Sequence, residues 1–381
     1  MIPKRLARYE VTLGQLERKG RRRVLARQGG IDFTSNDYLG LAGSPRLKAS
    51  VISALDRGVP VGAGGSRLLR GNHPEHEALE EEAAAFFNSE RMLYFGSGYA
   101  ANVAILSTLP QRDDLVVYDE LIHASARAGI SAGRAPAVAV PHNDLDAFES
   151  VIHKWRQAGS KGHSWIVVES LYSMDGDRAP LGELAGVSDR YDGFLLIDEA
   201  HATGVHGAGG RGFSTDLEGR DNVVVLHTCG KALGVSGALV GGSRILCDYL
   251  INHARPFIYA TAPSPLAAAS VREALHILSE EPERRQKLQR MIGYANEQIA
   301  SYLRIEGSGS QILPVILGDS ARALRIARQM QANGFDIRAI RPPTVPANTA
   351  RLRIAITLNV DPPTVSRMFE RLAHVMAQEQ P

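Results

Sequence analysis

The chain of 381 residues is 44% hydrophobic and 22% charged, and its 43 basic and 41 acidic residues leave a formal charge of +2; it can bury a large core and has no global attraction to nucleic acid. Two cysteines, Cys229 and Cys247, lack CxxC spacing and a histidine at metal-ligand spacing, which argues against a disulfide framework and a zinc site and for a reducing compartment. The basic N-terminus has no apolar signal-peptide core, and no run approaches the ~18 apolar residues that span a bilayer, so a cytoplasmic protein without a membrane partner is expected.

Residues 4–27 place Leu6, Val11, Leu13 and Leu16 among many charges, the pattern of a polar, partly amphipathic helix leading into Arg21, Arg22 and Arg23. The stretch 31–43 reads as a short strand and a turn. Glycines 62, 64 and 65 permit close backbone approach, and Pro74 opens a helix. From residue 91 apolar runs alternate with helical segments. Strands are expected at 92–95, 115–118, 137–140, 165–168, 194–197, 223–226 and 237–242, and helices at 99–109, 123–132, 144–158 (with Asp144 as N-cap) and 181–191. Runs so uniformly apolar suit strands covered on both faces, so the fold class is α/β with a mostly parallel seven-stranded sheet.

Beyond Pro263 a long helical pattern, 264–304, breaks at Glu281-Pro282. It is followed by the strand ILPVIL, a helix at 320–333, strands near 336–341 and 351–357, and a last helix. In 351–356 the alternation of Arg351, Arg353 and Ala355 with Leu352, Ile354 and Ile356 predicts one buried and one polar face. The expected division is an N-terminal segment 1–44, a large domain 45–263 and a smaller α+β domain 264–381.

Ligands of open α/β sheets bind beyond the carboxyl ends of the strands, so the residues after each apolar run are the candidates. Gly96, Ser97, Gly98 and Tyr99 open a helix whose free N–H groups favour a phosphate, although such a turn alone is common. His123 starts the next helix, where an imidazole either lies flat against an aromatic cofactor or simply bonds to backbone. Ser173 sits in the turn after 165–168. Asp198 ends the next strand, with His201 three residues on. A buried carboxylate there needs a cationic partner, such as the protonated ring nitrogen of pyridoxal phosphate. The letters DEAH at 198–201 also spell a helicase ATPase box, but no P-loop is present to hold a triphosphate. Last come Thr228, suited to a phosphate, and Lys231 between Gly230 and Ala232. A Gly-Lys pair in a turn is ordinarily a solvated surface feature, but Lys is the residue type that forms Schiff bases with pyridoxal phosphate. No metal is expected.

Taken together, in this order, these strand-end residues make the chain similar to the α-oxoamine synthases, fold-type-I pyridoxal-phosphate enzymes that condense an amino acid with an acyl-CoA and release carbon dioxide. The resemblance runs from about Ser35 to about Arg371. It is carried by FTSNDYLGL (33–41), GAGGSRLLRGNHPEHEALE (62–80), SMDGDRAPL (173–181), IDEAHATGVHGAGGRG (197–212) and IRPPTVPANTARLRI (340–354). The last segment points to the branch that joins L-alanine to a pimeloyl thioester of coenzyme A or a carrier protein, ahead of the branches making 5-aminolevulinate, 2-amino-3-ketobutyrate or 3-ketosphinganine.

The resemblance implies that Lys231 bonds to the cofactor aldehyde and serves as base, that Asp198 meets the ring nitrogen and that His123 stacks on the ring. It implies Ser173 and His201 on the phenolic oxygen side, and Ser97, Gly98, Tyr99 and Thr228 at the phosphate. Arg353 would pair with the amino-acid carboxylate, because a guanidinium binds that group through two parallel hydrogen bonds. Thr344 and Arg21 would touch substrate. A homodimer with a shared active site, to which 62–76 contributes from the neighbouring subunit, is also implied. Two rivals, a nucleotide-driven motor and a catalytically dead scaffold, are disfavoured by the missing P-loop and by the retained lysine and aspartate.

Overall fold

The structure, a computed structural model, describes residues 3–25, 27 and 29–379. Its N-terminal and sheet-forming elements are α1 (Ala7–Arg18), β1 (Ile31–Asp32), α2 (Pro45–Asp56), α3 (Pro74–Phe87), β2 (Arg91–Phe95), α4 (Gly98–Thr108), β3 (Leu115–Asp119), α5 (Ala124–Ala132), β4 (Ala137–Val140), α6 (Leu145–Gln157), β5 (Ser164–Glu169), α7 (Leu181–Arg190), β6 (Phe194–Asp198), β7 (Val223–Thr228) and β8 (Ala238–Gly242). There follow α8 (Arg244–His253), α9 (Arg255–Ile258), α10 (Pro265–Glu280), α11 (Pro282–Leu303), β9 (Ile312–Gly318), α12 (Ser320–Ala332), β10 (Phe335–Asp336), β11 (Arg338–Ile340), β12 (Ala350–Ala355) and α13 (Pro362–Gln378).

The large sheet has the order β2-β8-β7-β6-β5-β3-β4. All strands share one direction except β8, which is antiparallel to both of its neighbours. Side chains alternate between two faces along each strand. Val116, Trp165, Val167, Leu196, Val224 and Leu226 pack on one face with α4, α5 and α8. Val117, Ile166, Val168, Leu195, Ile197 and Val225 pack on the other with α6 and α7. Both faces are therefore dry, which is why the strands read as unbroken apolar runs. Each large side chain so buried contributes ~1.5–3 kcal/mol. As expected, Asp144 caps α6, its side chain accepting from Ala147 N at 2.9 Å, and the long C-terminal helical pattern divides at Pro282 into α10 and α11.

The smaller antiparallel sheet is β11-β12-β9, backed by α11, α12 and α13 in a core that also holds Phe33, Tyr38 and Leu233. The chain's beginning docks here. β1 pairs in parallel with β10, and the carbonyls of Phe33 and Tyr38 each accept 2.9 Å hydrogen bonds, from Ala355 N and Leu358 N.

Several expectations are corrected. The helix expected ahead of Arg21–Arg23 spans Lys4–Arg18 as a 3₁₀ turn plus α1, and ends where Gly20 takes a positive φ of 61° and turns the chain away; Ala26 of the 4–27 stretch lies outside the described residues, as do the outer limits 1 and 381 of the expected domains. The strand of 336–341 is split at Ile337, whose side chain is buried. Both faces of β12 are buried, including Arg351 and Arg353 at 3% and 7% exposure, because the arginine face is covered by the turn after β5, at residues 173–175, instead of solvent. The helices α2, α8 and α9 had no counterpart in the sequence reading. No helix among the described residues is long and apolar enough to cross a membrane.

Candidate active site

The shared strand direction brings the carboxyl ends of β2, β3, β5, β6 and β7 to one edge of the sheet. The reversal at β8 matters equally. The chain passes from β7 to β8 through 229–237 without crossing the sheet, so Lys231 stays at that edge. A cavity of about 380 Å³ opens there, lined by Ser97, Gly98, Tyr99, His123, Asp198, His201, Thr228 and Lys231 among others. Eight of the twelve expected site residues thus meet in one place.

At one end, Ser97 caps α4, its Oγ accepting from Ala100 N at 3.1 Å, and the first N–H groups of the helix face the cavity without intrahelical partners. Gly98 is required there: a Cβ would stand 2.6 Å from Thr228 Cγ2. The close approach of the start of α4 to the end of β7 makes a tight cradle suited to an anion.

At the other end Asp198 is held as an acceptor twice over, by Ala200 N at 2.9 Å and Asn102 Nδ2 at 2.8 Å. His123 combines a helix cap with a place in the cavity wall. Its Nδ1 caps α5 by accepting from Ser125 N at 3.2 Å, and its ring still lines the cavity.

Lys231 Nζ lies 2.7 Å from His201 Nε2, and His201 Nδ1 lies 2.7 Å from the Tyr38 hydroxyl. The donors can be assigned by elimination. Tyr38 spends its proton on Asn36 Oδ1 at 3.0 Å and accepts from Arg353 Nη2 at 3.3 Å. It must then accept from His201 Nδ1–H, which leaves Nε2 free to accept from the lysine. Burial, with the charges of Lys231 and Arg353 nearby, drives the His201 pKa well down, so the ring is neutral. Burial also lowers Lys231 to about 8, against the opposing pull of Asp198 and Glu169.

Arg351 and Arg353 differ in their partners. Arg351 is paired with Asp175 and bonds the Met174 carbonyl at 3.2 Å. Arg353 donates only to neutral acceptors, the Ser173 carbonyl at 2.6 Å, Asn36 Oδ1 at 3.0 Å and Tyr38. Among the described residues it has no carboxylate partner, so it is the buried cation with charge to spare for an anionic ligand.

A second cavity of about 650 Å³ adjoins His123 and is lined by Ser173, Met174, Leu121, Thr344, Val345 and Arg23, among others. Ser173 and Thr344 thus lie in the groove leading to the first cavity. Arg21 lines neither cavity, whereas Arg23 lines the groove. Beside it, His142 bridges Asp119 at 3.0 Å and Asp177 at 2.7 Å. Although burial opposes the charged ring, these bonds raise the His142 pKa to about 10. No cluster of metal ligands is present among the described residues.

Sequence reasoning passed over Asn36, Tyr38, Asn102 and Glu169. Asn102 had a signal, since it lies one helical turn after Gly98 and so on the same face of α4. Glu169 stands directly after the apolar run of β5, the same position by which Asp198 was found.

The aminotransferase class I and II family model matches residues 28–372, and the chain belongs to that family. Its fold is the fold-type-I architecture. Within the family it belongs with the 8-amino-7-oxononanoate synthases: it is 40% identical to the 8-amino-7-oxononanoate synthase of Anaeromyxobacter dehalogenans over 353 residues, 92% of this chain and 87% of that protein. The solved 8-amino-7-oxononanoate synthase of Francisella tularensis superposes with a TM-score of 0.78 at 29% identity, covering 92% of this chain and 98% of that one. The serine palmitoyltransferase of Sphingomonas wittichii superposes with a TM-score of 0.88 at 25% identity, covering 98% of both.

Proposed function

We propose that this protein acts as an 8-amino-7-oxononanoate synthase, a pyridoxal-phosphate enzyme that condenses L-alanine with a pimeloyl thioester and releases carbon dioxide and the thiol. The observation that carries the reading is one cavity holding Lys231, Asp198 and His123 beside a buried arginine without a carboxylate partner. The higher identity to the 8-amino-7-oxononanoate synthase (40%) than to the palmitoyltransferase (25%) favours this substrate pair over a serine and palmitoyl one.

The residues present fit the cofactor. The Gly98–Thr228 cradle and the start of α4 would hold its phosphate, Asp198 its ring nitrogen, His123 its face and Lys231 its aldehyde, with Ser173 and His201 on the phenolic oxygen side. When bound, the cofactor supplies an electron sink conjugated to the substrate amine. The protein's own residues do the rest. Arg353 binds the alanine carboxylate and so fixes which bond at the α-carbon faces the base. Lys231 Nζ takes the α-proton there. Its pKa of about 8 lets it lose and regain a proton near neutrality, and His201 aims it. The groove past Met174, Thr344 and Val345 excludes water from the acyl chain, with the Arg21–Arg23 segment as the contact for the far end of the substrate.

The working form is a homodimer in the cytoplasm. Val61, Leu68 and Leu69, in or beside the 62–76 segment, and Tyr259, further along the chain, are exposed apolar side chains, and a partner subunit would cover such a surface.

Purified protein incubated with alanine and a panel of acyl-CoAs should give 8-amino-7-oxononanoate from the pimeloyl thioester by mass spectrometry. A product formed only from serine, glycine or a long-chain thioester overturns the reading.

A further inference from the structure

Glu169 and Asp198 end adjacent parallel strands in register, so two carboxyl groups stand side by side at the carboxyl edge, at 3% and 8% exposure. Both line the first cavity. Their hydrogen bonding is unequal. Each oxygen of Asp198 has a donor, Ala200 N or Asn102 Nδ2. Glu169 Oε2 accepts from Ser173 N at 3.1 Å, but its Oε1 is buried without a hydrogen-bond partner among the described residues, with only the backbone N–H of His123 nearby.

A buried, unpartnered carboxylate oxygen beside a second carboxylate is costly, and such a pair shares its charge unequally, the group with fewer donors keeping a proton. The other charged and titratable groups facing Glu169 do not reverse this. Arg353 is engaged with Ser173, Asn36 and Tyr38, His201 is bonded on both nitrogens, and His123 uses Nδ1 as a cap. Lys231 is held by His201.

We infer that Glu169 stands in this site as a neutral carboxylic acid, a positioning residue whose Oε1–H is offered to an oxygen of the bound ligand while Asp198 alone carries the negative charge. Burial, and next Asp198, push its carboxyl well above the usual carboxylate range, in keeping with that state. The consequence falls on Lys231. One anion near its amine, where two would hold the proton more tightly, makes the ammonium readier to give up a proton. Oε2 meanwhile fixes the N–H of Ser173, the residue whose carbonyl Arg353 grips. This inference rests on Lys231 being the reacting amine.

Infrared difference spectra of the full chain, wild type minus E169Q, should show a protonated-carboxyl C=O band at neutral pH, with and without pyridoxal phosphate; absence of that band in the cofactor-free protein overturns the inference. The pH dependence of Lys231 trapping by pyridoxal and borohydride gives a second reading. E169Q, which replaces one neutral group with another, should leave its midpoint in place. A fall of about one unit or more would mean that a negative charge had been removed, and Glu169 is then ionised. K231A separates the two ideas: if it is trapped as efficiently as wild type, the reading of Lys231 fails, while the infrared band still reports on Glu169 alone.

Discussion

Arg353 Nε donates a 2.6 Å hydrogen bond to the carbonyl of Ser173, joining the small antiparallel sheet to the turn that follows β5. In the proposed function, substrate anion and turn would share one guanidinium. R353K keeps the charge but loses the planar fork, and the KM for alanine should rise roughly ten- to a hundredfold, by about 1.4–2.8 kcal/mol of binding. Steady-state kinetics check this, and an unchanged KM removes Arg353 from the carboxylate site.

Its neighbour on the same face of β12 should behave differently. Arg351 is tied to Asp175, so R351A leaves a poorly solvated carboxylate behind. Chemical denaturation should show a loss of roughly 3 kcal/mol, against little change in alanine affinity in the protein that remains folded.

Lys231→Ala should abolish turnover and the borohydride-stable attachment of pyridoxal phosphate, read by mass spectrometry of the intact chain. A variant that still traps the cofactor at normal yield excludes Nζ as its anchor.

Gly98→Ala puts a methyl group 2.6 Å from Thr228 Cγ2 and must spread the cradle proposed for the phosphate. Cofactor affinity in a spectrophotometric titration should fall by about tenfold or more, equivalent to at least ~1.4 kcal/mol.

His142 gives a pH signature. Its pKa is raised in the folded protein to about 10, so its stabilising contribution is complete below the unfolded value near ~6.5 and is lost as pH climbs toward 10. Thermal stability should therefore decline between neutral pH and pH 10, more steeply in wild type than in H142N. Equal slopes mean that the Asp119–His142–Asp177 bridge carries no charge.

Most of the first cavity was legible in the sequence, and for one reason. Lys231, Asp198, Thr228, His123 and Ser97 each follow an apolar run, and strands of one direction deliver their ends to one edge. Residues that arrive by other routes were harder to see. Asn102 comes from within a helix, and Tyr38 meets Arg353 across 315 positions of sequence. Period-two alternation placed Arg351 and Arg353 on one face of β12 but could not tell them apart, because the difference is made by Asp175 on another element. The same alternation misjudged that face as solvated, since an arginine covered by a distant turn of the chain has the same sequence pattern as one facing water. The choice of Arg21 within its cluster depended on where an irregular segment runs, and the groove wall is taken by Arg23 instead. α8 and α9 follow directly on β8 without a marked break, and α2 lies in a stretch read only for its flanking turns.

The pairing of β1 with β10 also sets the order of assembly. Thr34 Oγ1 bonds the Asp336 carbonyl 302 residues away, and the strand segment that carries Asn36 and Tyr38 toward Lys231 is anchored on that contact. A ribosome adding ~5–20 residues per second makes the later partner on the order of tens of seconds after the earlier one. Throughout that interval the nascent chain holds Asn36 and Tyr38 without the strand on which their segment docks. Premature termination before β10 therefore yields a product that lacks both Arg353 and the strand on which β1 docks.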